Sequence, residues 1–365
     1  MKRAALLCLC VLILLCGCDA GEGNKRIKDD NSIYHKGLWI TYSELGSMLS
    51  ADFKSEFSDA MQICNNKGIT DIFVHVRAFC DAYYPSKLFP AADGVSSLDF
   101  DILEYMISAA HKKNIRFHAW LNPYRVRTAD NNIANIKEES PAYKWGSTDN
   151  LLVTKSGIYL NPASYEARTL VTDGVREILK AYAVDGIHFD DYFYPMDLSE
   201  EDRGDYEKYF ASAETPVSIE DWRRGNVNAL ISGVYTAIKF INKDIIFSVS
   251  PAADMEKNYN SRYADVTLWG ESGCVDWLIP QLYFGFKYPD SNFRFGYLLD
   301  AWKNELKDSK AKLLIGLASY KIGTETPPDS EEWVLGEEII RQQEKICEED
   351  KKIYGHVYFS YSYIK

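Results

Sequence analysis

The chain has little that could hold a zinc ion. None of its eight cysteines forms a CxxC pair. Cys8, Cys10, Cys16 and Cys18 crowd the first 18 residues, and Cys64, Cys80, Cys274 and Cys347 are far apart. That spacing excludes the usual structural zinc sites and leaves buried free thiols as the plain reading. Positive charge is also short: 41 Lys and Arg against 53 Asp and Glu leave a net charge of −12, which argues against a nucleic-acid binder. No Gly-rich phosphate loop follows the first strand-like run, so an open dinucleotide-binding sheet finds no support. There is no internal repeat and no low-complexity tract.

Apolar length is limited too. Met1-Lys2-Arg3 precedes a twelve-residue apolar run, Ala4 to Leu15, which is the length of a signal-peptide core and too short to span a bilayer. It ends in Leu15-Cys16-Gly17-Cys18, which resembles a bacterial lipoprotein signal. The expectation is a signal peptide over residues 1–18 with lipid on Cys18; plain secretion after a nearby cleavage is the alternative. Residues 19–33 read as a flexible tether and 34–365 as the folded domain. Such a protein would be anchored in the cell envelope, facing outside the cytoplasm.

What is present is a regular alternation. Strand-like runs fall at 37–42, 71–77, 116–121, 186–190, 245–250, 277–283, 312–319 and 356–360. Amphipathic stretches at 53–67, 100–113, 163–183, 221–242, 295–306 and 331–349 separate most of them; Gly68 and Asn114 close the first two. Eight strands spaced by helices predict a single (β/α)8 barrel. The chain stops soon after the eighth strand, so the barrel is expected to lack its last helix.

The functional signal is Asp185-Gly186-Ile187-His188-Phe189-Asp190-Asp191-Tyr192-Phe193-Tyr194-Pro195. It begins as a buried strand and ends in two adjacent carboxylates among aromatic rings. Charge at such a place is costly unless something uses it, and rings beside a carboxylate suit sugar chemistry. Aromatic residues make up 14% of the chain, with 25 Tyr, which offer both a face and a hydroxyl to a sugar. Residues two apart on a strand share a side. The inward polar groups are therefore expected to be His75 and Arg77; His118, Trp120 and Asn122; His188, Asp190 and Tyr192; Ser248 and Ser250; and Gln281 and Tyr283. Asp190 is expected to face the barrel interior, and Asp191 to face outward or into the following loop, orienting Arg77 or a loop or holding substrate hydroxyls. A second catalytic carboxyl group is not obvious. Glu44, Asp81, Asp191 and Asp254 are the candidates, and Asp254, next to Asp190's strand, comes first.

The runs Gly37–Ile40, Asp71–Arg77, His118–Arg125 and Asp185–Pro195 together resemble the family-10-like glycosyl hydrolases of bacterial cell envelopes. So do Tyr159–Ala163, Asp221–Arg224, Ser248–Pro251 and Asp276–Tyr283. The resemblance runs from about Tyr34 to the C-terminus. It implies a (β/α)8 barrel and hydrolysis of glycosidic bonds, with peptidoglycan glycan strands stripped of their stem peptides as the substrate. It marks Arg77, Asn122, Asp190, Asp191, Gln281 and Tyr283 as cleft residues. The expected enzyme needs no metal or organic cofactor, and its partner is a polysaccharide. Asp190 would act as nucleophile or base, with Asp191 or Asp254 as the second carboxyl. His75, Arg77, His118, Asn122, Tyr124, His188 and Gln281 would bind the sugar, and Trp120, Tyr192, Tyr194 and Tyr283 would stack on it. A non-catalytic glycan-binding lipoprotein is the alternative. A metal-dependent deacetylase using His188, Asp190 and Asp191 is a third.

Overall fold

The computed structural model describes residues 25–30, 32–325, 328 and 330–365; the signal region and Cys18 lie outside them. The strands are β1 (His35–Ile40), β2 (Asp71–Arg77), β3 (Arg116–Leu121), β4 (Arg125–Thr128), β5 (Leu151–Val153), β6 (Gly157–Leu160), β7 (Gly186–Phe189), β8 (Ile246–Val249), β9 (Trp277–Leu278), β10 (Lys312–Leu317) and β11 (Ile353–Tyr358). Eight of them, β1, β2, β3, β7, β8, β9, β10 and β11, pair in that order and close β11 onto β1, all in parallel. This is the expected (β/α)8 barrel. Strand β9 is shorter than its apolar run: Pro280 removes a ladder donor, and pairing resumes only as single bridges at Gln281.

Helices α1 (Tyr42–Leu49) and α2 (Phe53–Asn66) follow β1, and α3 (Ile102–His111) follows β2. The short α4 (Pro141–Trp145) lies within the insert after β3, and α5 (Tyr165–Ala181) leads into β7. Helices α6 (Arg203–Ser212) and α7 (Ile219–Ile241) follow β7, α8 (Met255–Ser261) and α9 (Val266–Ser272) follow β8, α10 (Phe295–Glu305) follows β9, and α11 (Ser330–Trp333) and α12 (Glu338–Glu349) follow β10. Local chemistry sets the boundaries. Asp52, Asp101, Ser164 and Ser218 accept backbone N–H bonds as N-caps of α2, α3, α5 and α7. Gly68 and Asn114 take left-handed φ of 69° and 56° after α2 and α3, at the positions expected to end those helices. One element lay beyond sequence reasoning: β4, β6 and β5 form a small antiparallel sheet over the C-terminal end of β3.

The barrel interior is filled by Trp39, Phe73, Trp120, Ile246, Trp277, Ile279, Leu314 and Val357, apart from the larger shell between strands and helices. At its N-terminal end sits a buried ionic layer. Asp71 accepts from Arg116 Nε and Nη2 (both 2.8 Å) and from Thr70 Oγ1 (2.6 Å), and is paired with His118 Nε2 (2.9 Å) and His35 Nδ1 (3.3 Å). Space there is so tight that a Cβ on Gly186 would meet His118 Nδ1 at 2.1 Å, which explains a glycine at the start of β7.

Residues 25–30, read from sequence as part of a flexible tether, are instead bound to this end of the barrel. Arg26 donates to the carbonyls of Leu179, Tyr182 and Val184, and the Ile27 N–H donates to Asp185. Asp29 pairs with Arg116 (2.9 Å) and Lys312 (2.7 Å). The polar composition that resembled a linker is the composition needed to cover backbone carbonyls and charged strand ends. Among the described residues, β11 is followed by a 3₁₀ turn, Tyr361–Tyr363. The β11 seam is covered by Tyr34 and α12: Tyr34 OH bonds His356 Nδ1 (3.0 Å), His356 Nε2 bonds Tyr358 OH (2.9 Å), and Tyr358 OH donates to Glu344 (2.5 Å).

Candidate active site

The C-terminal ends of the strands surround a cleft of about 530 Å³, within the range of small-ligand sites. Asp190 lies at its floor, just past β7. It accepts from Asn122 Nδ2 at 3.1 and 3.0 Å, from Trp120 Nε1 at 3.3 Å and from the Tyr192 N–H at 3.3 Å. Burial pushes its carboxyl up to about 6; the Arg125 charge opposes this and the Asp191 charge adds to it. Asn122 in turn accepts the Arg125 N–H at 3.0 Å, so its amide is oriented by the chain that leads into β4. It positions Asp190 and is not itself on the cleft wall.

Asp191 also lines the cleft, contrary to the outward placement that alternation predicts. The strand ends at Phe189, and beyond it the pleat no longer dictates side-chain direction. Its partner is not Arg77 but Arg262, whose Nη1 reaches Asp191 Oδ2 at 3.1 Å and the Asp191 carbonyl at 3.0 Å. Burial raises the Asp191 carboxyl, and Arg262 and Gln281 act against the shift. Gln281 Nε2 is fixed by the Ser250 carbonyl at 3.0 Å.

His75, Trp120, Tyr192, Gln281 and Tyr283 take their expected places on the wall. Several other expected site residues do not. Arg77 leaves the cleft because the β2–β3 register shifts between His75 and Arg77, which turns Arg77 to the outer side of the barrel. There it lies 4.6 Å from the Phe89 ring centre and packs against Gly174 of α5. His118 sits a layer too low, in the Asp71 cluster. His188 is fully buried beneath the cleft, where Trp39 Nε1 donates to its Nε2 (3.0 Å) and its Nδ1 pairs with Ser248 Oγ (2.8 Å). Burial keeps that imidazole neutral. Tyr124 and Tyr194 are core residues; Tyr194 OH accepts from Asn226 at 3.3 Å. Past their strands, alternation no longer tells which aromatic residues face the cleft.

Of the candidate second carboxyls, Asp254 is the N-cap of α8, accepting the Lys257 N–H at 3.1 Å, and does not line the cleft. Glu44 lines it but is fully used. Its Oε2 accepts from the Thr41 N–H (2.7 Å) and hydroxyl (3.0 Å), and its Oε1 accepts from Ser360 Oγ (2.8 Å) and the Ser362 N–H (2.7 Å). Asp81 faces a separate cavity beyond Phe79. The pair available for chemistry is Asp190 and Asp191. No group of three or more His, Cys, Asp or Glu side chains placed to hold a metal occurs among the described residues. Sequence reasoning missed Trp39, Tyr42, Arg125, Tyr320 and Phe359 on the cleft wall, and Arg262 behind Asp191. Arg125 closes the run His118–Arg125 and was within reach; Arg262 follows a helix and carries no local signal.

A parallel (β/α)8 barrel that gathers two carboxylates and a wall of aromatic rings at the C-terminal ends of its strands has the architecture of a glycoside hydrolase. Comparison with known proteins agrees. Residues 35–334 match the family model described as glycosyl hydrolase-like 10, and the chain belongs to that family. It is a glycoside hydrolase by class. It is 33% identical over 312 residues to glycosyl hydrolase YngK of Bacillus subtilis, covering 79% of this chain and 59% of that protein. With glycosyl hydrolase DigH of Escherichia coli K12 the identity is 28% over 419 residues, covering all of this chain and 93% of that one. In fold it is similar to the PgaB (BpsB) glycoside hydrolase domain of Bordetella bronchiseptica, with a TM-score of 0.60 and 14% identity over 91% of this chain and 95% of that one. It is similar also to α-L-fucosidase isoenzyme 2 of Paenibacillus thiaminolyticus, with a TM-score of 0.55 and 14% identity over 91% and 48%.

Proposed function

We propose that this protein hydrolyses glycosidic bonds in peptidoglycan glycan strands stripped of their stem peptides, with Asp190 as the proton donor. The observation that carries the catalytic assignment is Asp190 itself: it is buried against Trp120, held by Asn122, and raised to about 6. A carboxyl group in that state can give its proton to a leaving oxygen near neutral pH. This differs from the nucleophile or base role expected from sequence, and the reason is burial, which sequence does not report. Asp191 is paired with Arg262, which favours its charged form against burial. It stands ready to orient an attacking water or the acetamido group of the sugar. Tyr192 and Tyr283 provide ring faces for the pyranose, above a floor that includes Trp39 and Trp120.

The test is digestion of sacculi with and without prior amidase treatment, read by mass. New reducing ends should appear faster from the amidase-treated material, and kcat/KM should fall as pH rises through about 6, where Asp190 loses its proton. Products from neither substrate would remove peptidoglycan as the target. A rate that falls instead as pH drops through that value would make Asp190 the base.

The envelope anchor belongs to the same proposal. Residues 25–30 meet the barrel at the end opposite the cleft. A lipid on Cys18 would therefore leave the cleft facing away from the membrane. Cys18→Ser should shift the protein from the membrane to the soluble fraction; an unchanged distribution would dismiss the anchor.

A further inference from the structure

Arg125 is the exception among the cleft's charged groups. Arg262 and Asp191 are paired with each other, and Asp190 is bonded to Asn122 and Trp120. The guanidinium of Arg125 has no carboxylate within 4 Å among the described residues, and its position is set from other directions. Its backbone N–H is held by Asn122, and its Cζ lies 4.6 Å from the Tyr192 ring centre and 5.6 Å from that of Phe79. Two aromatic rings beside the guanidinium leave its N–H edge as the part still able to bond. That edge is a planar fork of donors shaped for a carboxylate.

A second, independent donor lies on the same wall. His75 is 3% exposed, its Nδ1 accepts the Tyr42 N–H at 3.3 Å, and its Nε2 has no partner. With Nδ1 accepting, the proton of the neutral ring sits on Nε2. A buried N–H without an acceptor is costly unless a ligand supplies one. Both residues line the cleft that holds Asp190.

We infer that Arg125, assisted by His75, binds a free carboxylate carried by the sugar beside the scissile bond, making the enzyme selective for acidic glycans. This rests on the reading of the cleft as the glycan site. Two sugar types carry that group: a 3-O-lactyl ether and a uronic acid. In intact peptidoglycan the lactyl carboxyl is tied up as a neutral amide to the stem peptide, and removing the peptide restores the anion. The same fork would then explain a preference for stripped strands by charge, with no need for steric exclusion.

The experiment is calorimetric binding to the full-length Asp190→Asn protein, which holds substrate without turning it over. The probes are an N-acetylglucosaminyl–N-acetylmuramic acid disaccharide, an N-acetylglucosaminyl–glucuronic acid disaccharide, and the methyl ester of each. One free acid should bind about ten-fold or more tightly than its ester, the size of a charge-assisted bond. Which acid does so identifies the sugar. Adding Arg125→Gln should erase the difference, weakening the acid far more than the ester. Arg125→Lys, which keeps the charge and loses the fork, should retain only part of it. Binding with no acid–ester difference, or a difference that survives Arg125→Gln, overturns the inference alone. Failure of all four probes to bind overturns the glycan reading of the cleft with it.

Discussion

Replacing Asp190 with Asn is expected to lower kcat on the order of 10³-fold while leaving glycan affinity within a few-fold of wild type. The amide is nearly isosteric, so Trp120, Asn122 and the aromatic wall keep their places, but it has no proton to give to the leaving oxygen. Stability should move the other way. Asp190 has a folded pKa of about 6, above its ordinary value of 3.8, so folding is opposed once the group ionises. The opposition is absent below the ordinary value, grows as pH rises toward 6, and is complete above it, costing about 2–3 kcal/mol. At pH 8 the Asn variant should therefore be inactive and at least as stable as the parent. Stopped activity assays alongside urea titrations at pH 4 and pH 8 would check both parts. A variant that loses activity only because it unfolds, or one that keeps most of its rate, removes Asp190 from the chemistry.

The largest stability effect is expected at the other end of the barrel. Asp71→Ala should cost about 3–5 kcal/mol, because it removes the buried carboxylate held by the Arg116 guanidinium and two imidazoles and leaves Arg116 only Asp29, at the edge of the layer, as its ion-pair partner. Asp71 is fully buried and its carboxyl is held well below the usual range by Arg116, His118 and His35, against its own desolvation. A depressed carboxyl stabilises the fold wherever it is charged. Its contribution is present above the ordinary value of 3.8 and is lost as pH falls below that, through the lowered value. The parent should thus show an acid limb of instability that the variant lacks. The control is Asp244→Ala, which removes only the exposed pair with Lys28 and should shift the urea midpoint undetectably. Equal midpoints for the parent and Asp71→Ala would mean that the layer is not a structural anchor.

Much of the fold is legible in the sequence. The parallel strands are buried on both faces, so they read as short β-rich runs bounded by capping residues, and β2 and β3 fall at the predicted residues. The same periodicity places His75, Trp120 and Asp190 on the inner face, because alternation is a local property of an extended chain. It stops being informative where the ladder is irregular. One shifted pairing carries Arg77 outward, and the end of β7 releases Asp191 into the cleft.

The depth of a residue in the barrel is not local either. His118, His188 and Asp190 all face inward, yet only Asp190 reaches the cleft; the other two belong to the layers beneath it. The sequence by itself determined the (β/α)8 class and the place of Asp190 at the end of an inward-facing strand, since each follows from patterns of neighbouring residues. Only the tertiary structure decided that Arg262 is the partner of Asp191, that Glu44 is held by Ser360 and Ser362, and that burial raises the Asp190 carboxyl. Those outcomes depend on residues tens to hundreds of positions apart meeting in one low-dielectric place, and no spacing along the chain encodes that meeting.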